Sequence, residues 1–373
     1  MSLKQRDYVQ KTEKTNTSLF QKQLIDWFQK EQRDLPWRQN KDPYSIWLSE
    51  VMLQQTRVDT VIPYFLRFKQ SYPTLTALAE AHEEEVLKHW EGLGYYSRVR
   101  NFQAAVREVE AHYGGEVPDD KQQFQSLKGV GPYTAGAVMS IAFNQPVPAV
   151  DGNVLRVFSR IFDIHDDIAE EQTKKGVERL VAHIIDKNNP ADFNQAVMEL
   201  GAIVCTPKNP ACLLCPVQDH CQAYKNGSET ELPVKKKKKK AKVQHMTALV
   251  IESAEGEILI HKRPASGLLA NLWEFPNGQT VHRAQVQREQ ITWFMEDEYG
   301  LSVRVGEKPL QQVRHVFTHL IWEIDVFKAE LLNEDDARAK PQFAFASREA
   351  VLQYPFSVSH QKILHQVLKE DDE

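Results

Sequence analysis

All four cysteines of the chain lie in one short segment, in the pattern Cys205-x6-Cys212-x2-Cys215-x5-Cys221. The first residues of the chain are polar and lack the apolar core of a signal peptide, so we expect an intracellular protein. A reducing compartment disfavours disulfides, and clustered thiols then favour metal binding. The metal would hold together a loop-rich segment that has little hydrophobic core of its own.

The spacing of the cysteines bears on which metal they bind. Four thiolates are the usual ligand set of an iron–sulfur cluster or of a structural zinc ion. Zinc modules usually contain two close pairs of cysteines, whereas this segment has one close pair with wider spacings on both sides. We therefore expect one 4Fe–4S cluster, with zinc as the alternative. His220 adjoins Cys221 and is interpreted as a bystander, because four thiolates suffice.

Composition sets broad limits on the class of protein. The chain has 373 residues, enough for two domains, and its 42% hydrophobic and 26% charged residues are typical of a soluble globular protein. A formal net charge of −5 does not exclude nucleic-acid binding, which depends on a local basic face. No apolar run reaches the length of a membrane span, so we expect no membrane partner.

The pattern of apolar residues divides the chain in two. Helical spacing recurs through the first part, and no strand pattern is convincing before about residue 245, so residues 1–228 are predicted to form an all-α domain. Residues 229–244 contain a run of lysines from Lys235 to Lys240 and are interpreted as a solvated linker, with a nucleic-acid-binding tail as the alternative. Either would attract phosphates non-specifically.

Residues 245–373 are predicted to form an α+β domain. The segments MTALVIES and EILIHKR have the character of strands and are joined by a turn at Ala254-Glu255-Gly256. A helix fits residues 284–299, the segment HLIWEIDVFKAEL is a longer strand, and a last helix begins at Ser359.

Two sequence features between Leu127 and Asn153 indicate chemistry on nucleic acid. Gly129-Val130-Gly131 forms a tight turn between helices, and the amides at the start of the next helix would hold a phosphate. Most such turns are only turns, so this signal is weak by itself. Further along, Asp151 stands at the start of another helix and places a carboxylate after the phosphate-binding turn.

These features occur together in one known superfamily. A helix-hairpin-helix, a Gly/Pro-containing loop with an aspartate, and this cysteine spacing resemble the endonuclease III superfamily of DNA glycosylases over nearly all of residues 18–223. The resemblance implies a six-helix barrel at about residues 37–144. It also implies a cluster module at about residues 15–36 and 145–223, with DNA bound between the two.

Three shorter motifs narrow the resemblance. Leu35-Pro36-Trp37-Arg38, the segment SEVMLQQT that contains Glu50, and the segment GLGYYSR resemble the MutY-type adenine DNA glycosylases. That family removes adenine mispaired with 8-oxoguanine or guanine in double-stranded DNA. Without this context, Glu50 would be interpreted as a surface glutamate.

The resemblance assigns roles to individual residues. Glu50 is implied to be the acid that protonates N7 of the flipped adenine, Asp151 to stabilise the oxocarbenium ion of the sugar, and Tyr133 and Asn153 to position the carboxylates and the water. The phosphate-binding turn is Gly129, Val130 and Gly131. The residues implied to contact the bases are Trp37, Arg38, Leu53, Gln55, Thr56, Tyr95 and Gln195.

The implied chemistry makes demands on two carboxyl groups. Protonation of Glu50 near neutrality requires its pKa to rise by roughly two units, which desolvation on an apolar helix face would supply. Asp151 is expected to stay ionised because a helix start favours negative charge.

Tyr133 stands where bifunctional members of the superfamily carry a nucleophilic lysine. A phenol does not form the Schiff base that leads to strand cleavage. The resemblance therefore implies a monofunctional enzyme that uses water and leaves an abasic site.

The C-terminal segment GLLANLWEFPNG resembles Nudix hydrolases that cleave 8-oxo-dGTP. The magnesium-binding signature is half-built, because Trp293-Phe294 replaces Arg-Glu while Asp297-Glu298 keeps the acidic pair. The domain is therefore expected to recognise the lesion. Its Phe317-Thr318-His319 matches the family's Phe-Ser-His loop that faces 8-oxoguanine, although His315 and His319 would also fit an ordinary surface.

Three alternatives to adenine excision opposite 8-oxoguanine stay open. The first is an endonuclease III-like glycosylase for oxidised pyrimidines, against which Tyr133 and Glu50 argue. The others are a Nudix hydrolase with a DNA-binding appendage and a non-catalytic mismatch-binding module. We expect a monomer in the cytoplasm, associated with the nucleoid.

Overall fold

The computed structural model of the chain describes residues 7–236 and 241–369. Within the first range every regular element is helical, which confirms the all-α prediction for this part of the chain. The α-helices of this range are α1 Thr17–Glu31, α2 Pro43–Leu53, α3 Val58–Ser71, α4 Leu75–Glu80, α5 Glu83–His89, α6 Ser97–Tyr113, α7 Lys121–Ser126, α8 Pro132–Ile141, α9 Gly152–Ile161, α10 Glu171–Ile184, α11 Pro190–Ile203 and α12 Gln222–Asn226. No helix among the described residues is both long and apolar enough to cross a bilayer.

The second described range mixes strands and helices, as predicted. Its elements are β1 Lys242–Ile251, β2 Ile258–Lys262, β3 Trp273–Glu274, β4 Asn277–Gln279, α13 Ala284–Tyr299, β5 Val303–Val316, β6 Leu320–Leu331, α14 Glu334–Arg338, β7 Phe343–Ala346 and α15 Val358–Lys369. One sheet has the order β4-β1-β6-β5 and the other has the order β3-β2-β7. β1 runs parallel to β6, and the other pairings are antiparallel.

Strand β5 was not predicted from the sequence. Its register against β6 shifts on both sides of Pro309, which marks bulges, and most of its side chains in this stretch are exposed. An edge strand of this kind lacks the regular alternation of apolar and polar residues by which strands are recognised.

The chain divides into two compact units, Met1–Glu80 with Asn101–Lys238, and Ala81–Arg100 with Lys239–Glu373. This differs from the predicted barrel of about 37–144, because residues 81–100 group with the C-terminal part. Within the second unit, the Tyr96 hydroxyl donates to the carbonyl of Phe356 at 3.1 Å, and the amide of Phe356 donates to Glu91 at 2.8 Å. These contacts join segments that are far apart in sequence, which helical periodicity does not reveal.

The first part of the predicted linker, up to residue 236, is hydrogen-bonded to helices and loops of the first unit. The Leu232 carbonyl accepts a hydrogen bond from Arg160 Nε at 2.9 Å, and the Val234 carbonyl accepts one from the amide of Ile168 at 3.1 Å. The segment up to residue 236 therefore packs on the first unit. Lys237–Lys240, the rest of the lysine run, lie outside the described residues.

Helix α2 is buried along almost its whole length, from Tyr44 to Met52. Asp42 caps its first turn by accepting hydrogen bonds from the amides of Tyr44 and Ser45. The Trp47 ring packs edge-on against the ring of Phe102, with centroids 4.9 Å apart, and against that of Phe124. Because this helix has no face exposed to solvent, any polar residue on it needs an internal partner.

A second core joins helices α1, α9, α10 and α11. It contains large buried side chains that include Phe20, Phe158 and Phe193. Helices α9 and α11 also contact each other directly, and α11 contacts α8. The N-terminal end of α9 is thereby fixed close to α8 and α11.

Helix α8 approaches the loop before α9 so closely that Gly136 is required. A Cβ at this position would lie 2.0 Å from the carbonyl oxygen of Pro148 and 3.0 Å from the Cα of Ala149. We expect Gly136→Ala to lower the free energy of unfolding by about 1–3 kcal/mol, because the backbone must shift. Gly152→Ala is the control, since a Cβ there meets nothing within 4 Å. Chemical denaturation of both variants checks this prediction, and equal stabilities would contradict it.

Candidate active site

A buried carboxyl group lies at the C-terminal end of α2. Glu50 is 6% exposed, and the Tyr133 hydroxyl donates a hydrogen bond to its Oε2 at 2.5 Å. Tyr133 is in the first turn of α8, directly after Pro132, so the turn at Gly129–Gly131 determines where this phenol lies. The sequence separation of the two residues is large, and the packing of α2 against α8 brings them together.

The surroundings of Glu50 favour its protonated form. Burial raises the pKa of Glu50 from 4.5 to about 7; the Tyr133 hydrogen bond opposes this rise, the charge of Asp151 adds to it, and Arg38 opposes it. The rise agrees in direction and size with the prediction from the sequence. A group with this pKa holds a proton over part of the neutral range and is suited to general acid catalysis.

Asp151 is the N-cap of α9. Its Oδ1 accepts a hydrogen bond from the Val154 amide at 2.7 Å, and its Oδ2 accepts one from Asn153 Nδ2 at 2.8 Å. Burial raises the pKa of Asp151, while these hydrogen bonds and the charge of Arg156 oppose that rise. The hydrogen bonds at the helix start therefore lower the pKa of Asp151, as expected, but burial raises it, and the prediction from the sequence did not include burial.

These groups line a common cavity of about 170 Å³ in the first unit. It joins residues from the end of α2, the start of α8, the start of α9 and the middle of α11. The predicted residues in its lining are Trp37, Arg38, Glu50, Leu53, Thr56, Tyr133, Asp151, Asn153 and Gln195. Gln55 is not among the lining residues; it is exposed and has a left-handed backbone with φ of 60°.

The cavity also contains residues that the sequence reasoning missed. On α11, Met198, Glu199 and Ala202 line it together with Gln195. These positions follow Gln195 at helical spacing, so the face of α11 that carries Gln195 was the available signal. Ser49 and Arg33 adjoin predicted residues or motifs and also line the cavity.

The turn before α8 uses one glycine for its conformation. Gly129 has φ of 79°, and a Cβ there would lie 2.8 Å from Asn101 Cβ. Gly131 has an ordinary φ of −87°, and a Cβ there would meet nothing within 4 Å. Only Gly129 therefore uses the backbone freedom of glycine in this turn. The open space at Gly131 fits close approach of a ligand, and Val130 between them is buried.

All four cysteines line one small cavity of about 30 Å³ with an apolar wall. Burial raises the pKa of the Cys215 thiol to about 12 and also raises the pKa values of Cys212 and Cys221. Arg160 Nη1 donates to Cys205 Sγ at 3.2 Å. Four thiols around one cavity are the donor set of an iron–sulfur cluster, so these residues fit such a group.

Hydrogen bonds also connect Asp151 to the cysteine segment. Asn153 donates to Asp151 and accepts from Arg156 Nη2 at 2.9 Å, and Arg156 Nε donates to the Cys205 carbonyl at 2.9 Å. Asn153 and Arg156 lie one helical turn apart on α9. The cysteine segment therefore helps to hold the start of α9 in place.

The second unit contains its own cavity of about 500 Å³. The predicted residues that line it are Tyr95, Phe317, Thr318 and His319. The Tyr95 hydroxyl lies 3.1 Å from the Thr318 hydroxyl, and the Tyr95 backbone is left-handed with φ of 46°. The resemblance assigned Tyr95 to contact with the bases and Phe317-Thr318-His319 to recognition of the lesion, but it did not predict the contact between Tyr95 and Thr318. His315 is half-buried and packs edge-on against the Phe317 ring.

Comparisons with protein families agree with both halves of this description. Residues 48–183 match the model for "HhH-GPD superfamily base excision DNA repair protein", and residues 247–366 match the NUDIX domain. Residues 205–221 match the iron–sulfur binding domain of endonuclease III, which favours iron–sulfur over zinc. The fold and the site thus define a helix-hairpin-helix base-excision DNA glycosylase with an iron–sulfur site and a Nudix domain.

Similar proteins narrow the class to one family. Adenine DNA glycosylase of Rattus norvegicus is 37% identical over 86% of this chain and 72% of that protein. Adenine DNA glycosylase of Homo sapiens is 35% identical over 86% of this chain and 69% of that protein. The chain belongs to the adenine DNA glycosylase family. A solved thermostable thymine-DNA glycosylase is also similar, with 27% identity, a TM-score of 0.51 and coverage of 56% of this chain and 97% of that chain.

The raised pKa of Glu50 predicts that the free energy of unfolding depends on pH. The pKa in the folded state, about 7, exceeds the ordinary 4.5, so stability is lost as pH rises between these values. We expect Glu50→Gln to remove this loss and to gain up to roughly 2–3 kcal/mol relative to the native protein between pH 5 and pH 8. Urea unfolding at several pH values measures it. The exposed Glu116→Gln is the control, and a pH-independent difference at Glu50 would count against burial of its charge.

Proposed function

We propose that the protein is a monofunctional glycosylase that hydrolyses the N-glycosidic bond of adenine mispaired with 8-oxoguanine or guanine. The observation that carries this proposal is the buried Glu50, bonded to Tyr133 at 2.5 Å in a cavity that it shares with Asp151. Two carboxyl groups in unlike surroundings are the arrangement that glycoside hydrolysis uses. The names of the relatives support adenine as the excised base.

In the proposed first step, an adenine flipped from the duplex enters the cavity. Protonated Glu50 transfers its proton to adenine N7, the bond from C1′ of the sugar to N9 breaks, and the bonding electrons leave with the base as neutral adenine. Flipping costs a few kcal/mol and less at a mismatch, which favours mispaired adenine.

In the proposed second step, the sugar is an oxocarbenium ion that faces the Asp151 carboxylate. Hydrogen bonds from Asn153 and the Val154 amide fix this carboxylate in place, so little reorganisation is needed as charge develops. Water adds to C1′ and gives its proton to the Glu50 carboxylate, which restores the acid. The product is an abasic site in an intact strand.

The proposal excludes strand cleavage by the enzyme itself. Tyr133 takes the place of the lysine that forms a Schiff base in bifunctional relatives, and its hydroxyl is already bonded to Glu50. Burial raises the pKa of Tyr133 well above its ordinary 10, and Glu50 and Asp151 add to the rise, so the phenol stays protonated and acts as a donor. Its part is to orient Glu50.

Recognition of the opposite base is proposed to belong to the second unit. Tyr95 and Thr318 present adjacent hydroxyl groups in a cavity that also contains Phe317 and His319.

Gln55, exposed in a left-handed conformation, is proposed to enter the base stack with Thr56. Trp293 in α13 is 64% exposed where hydrolases of the Nudix type carry arginine, so we propose no pyrophosphate hydrolysis.

The cluster is proposed to be a single 4Fe–4S group held by Cys205, Cys212, Cys215 and Cys221. When bound, it supplies four strong bonds that cross-link an irregular segment with little core of its own. Arg160 and Arg156 donate to the sulfur and the carbonyl of Cys205, so this chain's own residues anchor the segment to α9. The protein is proposed to act as a monomer.

Excision from defined duplexes tests the proposed function. With adenine opposite 8-oxoguanine or guanine, we expect abasic sites that become strand breaks only after hot alkali, and little product with adenine opposite thymine. Glu50→Gln should reduce the single-turnover rate by at least about 100-fold, because it removes the acid. Breaks without alkali would favour the alternative of an oxidised-pyrimidine lyase. Equal activity of Glu50→Gln would contradict the assigned acid.

Analysis of iron and sulfide tests the proposed cluster. We expect roughly four of each per chain, and absorbance in the visible range. Cys215→Ser should lower the iron content and the melting temperature, because the segment loses a ligand. Leu213→Ser, at an exposed neighbouring position, is the control and should keep both. Zinc in place of iron would contradict the proposal.

A further inference from the structure

Glu199 is a fully buried carboxylate on α11 to which the adenine-excision chemistry gives no part. It is 1% exposed and lines the same cavity as Glu50. Its Oε1 accepts hydrogen bonds from the amide and the Nε of Arg33, and its Oε2 accepts from Arg33 Nη2. The same Oε2 accepts from Arg38 Nη2 at 2.9 Å. One carboxylate therefore holds two guanidinium groups.

The two arginines are also joined to each other by a hydrogen bond. Arg38 Nη1 donates to the Arg33 carbonyl at 3.1 Å, and the Arg38 guanidinium lies over the Phe28 ring, 5.3 Å from its centroid. Burial alone would raise the pKa of Glu199, but the hydrogen bonds from Arg33 and Arg38 lower it to about 2. Glu199 is thus ionised whenever the enzyme works, and Arg38 is held on the Glu199 side of the cavity.

The charge of Arg38 matters because of what else lines the cavity. The titratable groups there are Glu50, Tyr133, Asp151 and Glu199, together with Arg33 and Arg38. Tyr133 is neutral and donates to Glu50, and Asp151 favours the protonated form of Glu50. Arg38 is the cation whose charge opposes that form. An Arg38 guanidinium released from Glu199 would pair with the carboxyl group of Glu50, on which its charge already acts, and would hold that group ionised.

We propose that Glu199 is a positioning residue for base excision, which fixes the Arg38 guanidinium away from Glu50 and balances its charge. This proposal rests on the proposed function of Glu50 as the acid. Glu199 does not touch the reacting atoms. It acts through Arg38, and it makes the acid effective at neutral pH.

The pH profile of single-turnover excision tests the proposal. Holoenzyme in excess is bound to a duplex with adenine opposite 8-oxoguanine, and the rate is measured from pH 5.5 to 9. The native profile should fall as pH rises through the pKa of Glu50. In Glu199→Gln the midpoint of this fall should move down by roughly one pH unit, so that activity lost at pH 8 is largely regained near pH 6.

Three further variants separate positioning from a structural role. Glu199→Asp keeps the charge and should keep the native midpoint. In Glu199→Gln/Arg38→Gln the released Arg38 cation is gone, so the midpoint should return upward even where the rate is lower. Asp192→Asn removes a carboxylate on the same helix that is not part of the cavity lining, and should leave the profile unchanged.

The outcomes are distinguishable. A uniform loss of rate at all pH values in Glu199→Gln, with an unmoved midpoint, would overturn the proposal. If Glu199→Gln does not fold, a double variant with a midpoint well below the native one would overturn it, because Arg38, the arginine through which Glu199 is proposed to act, is then absent. If the native enzyme shows no fall in rate near neutral pH, the assignment of Glu50 as the acid fails instead.

Discussion

The first unit is organised around a carboxyl group that is buried on a helix with no solvent-exposed face. Glu50 is this group, and its partner is the hydroxyl of Tyr133. Such a group must be neutral or paired. Here it has a phenol as partner and a raised pKa, while the nearby carboxylate of Asp151 accepts two hydrogen bonds at a helix start. Burial raises the pKa of both carboxyl groups, and the two hydrogen bonds to Asp151 oppose the rise at that residue. The proposed acid catalysis depends on this difference in surroundings.

Ion pairs and helix ends keep these carboxyl groups in place. Asp42 caps α2, Asp151 caps α9, and Glu199 holds the arginines that face the cavity from the other side. The close approach at Gly136 fixes the distance between α8 and the loop that leads to Asp151. The cavity is thus defined by contacts among four segments that are distant in sequence, and each contact is short and specific.

Much of the fold was predictable because its signals are local. Apolar periodicity indicated the helices, and the shift of composition after the cysteines indicated a second domain of a different class. Strand β5 was missed because bulges at Pro309 interrupt its alternation. The grouping of residues 81–100 with the C-terminal unit was missed because it depends on contacts such as that between Tyr96 and Phe356. Glu199 follows Gln195 at helical spacing, but it was missed because residue type alone does not distinguish it from a surface glutamate.

The sequence by itself determined which chemical groups are available: the acid, the aspartate, a tyrosine in place of a lysine, and four thiols at a diagnostic spacing. Residue type and short-range spacing are sufficient for such inferences. Only the tertiary structure decided the burial of Glu50 with Tyr133 as its partner, the pairing of Glu199 with two arginines and the contact of Tyr95 with Thr318. The physical reason is that desolvation and charge pairing depend on which side chains meet in space, and here those partners are separated by tens to hundreds of residues.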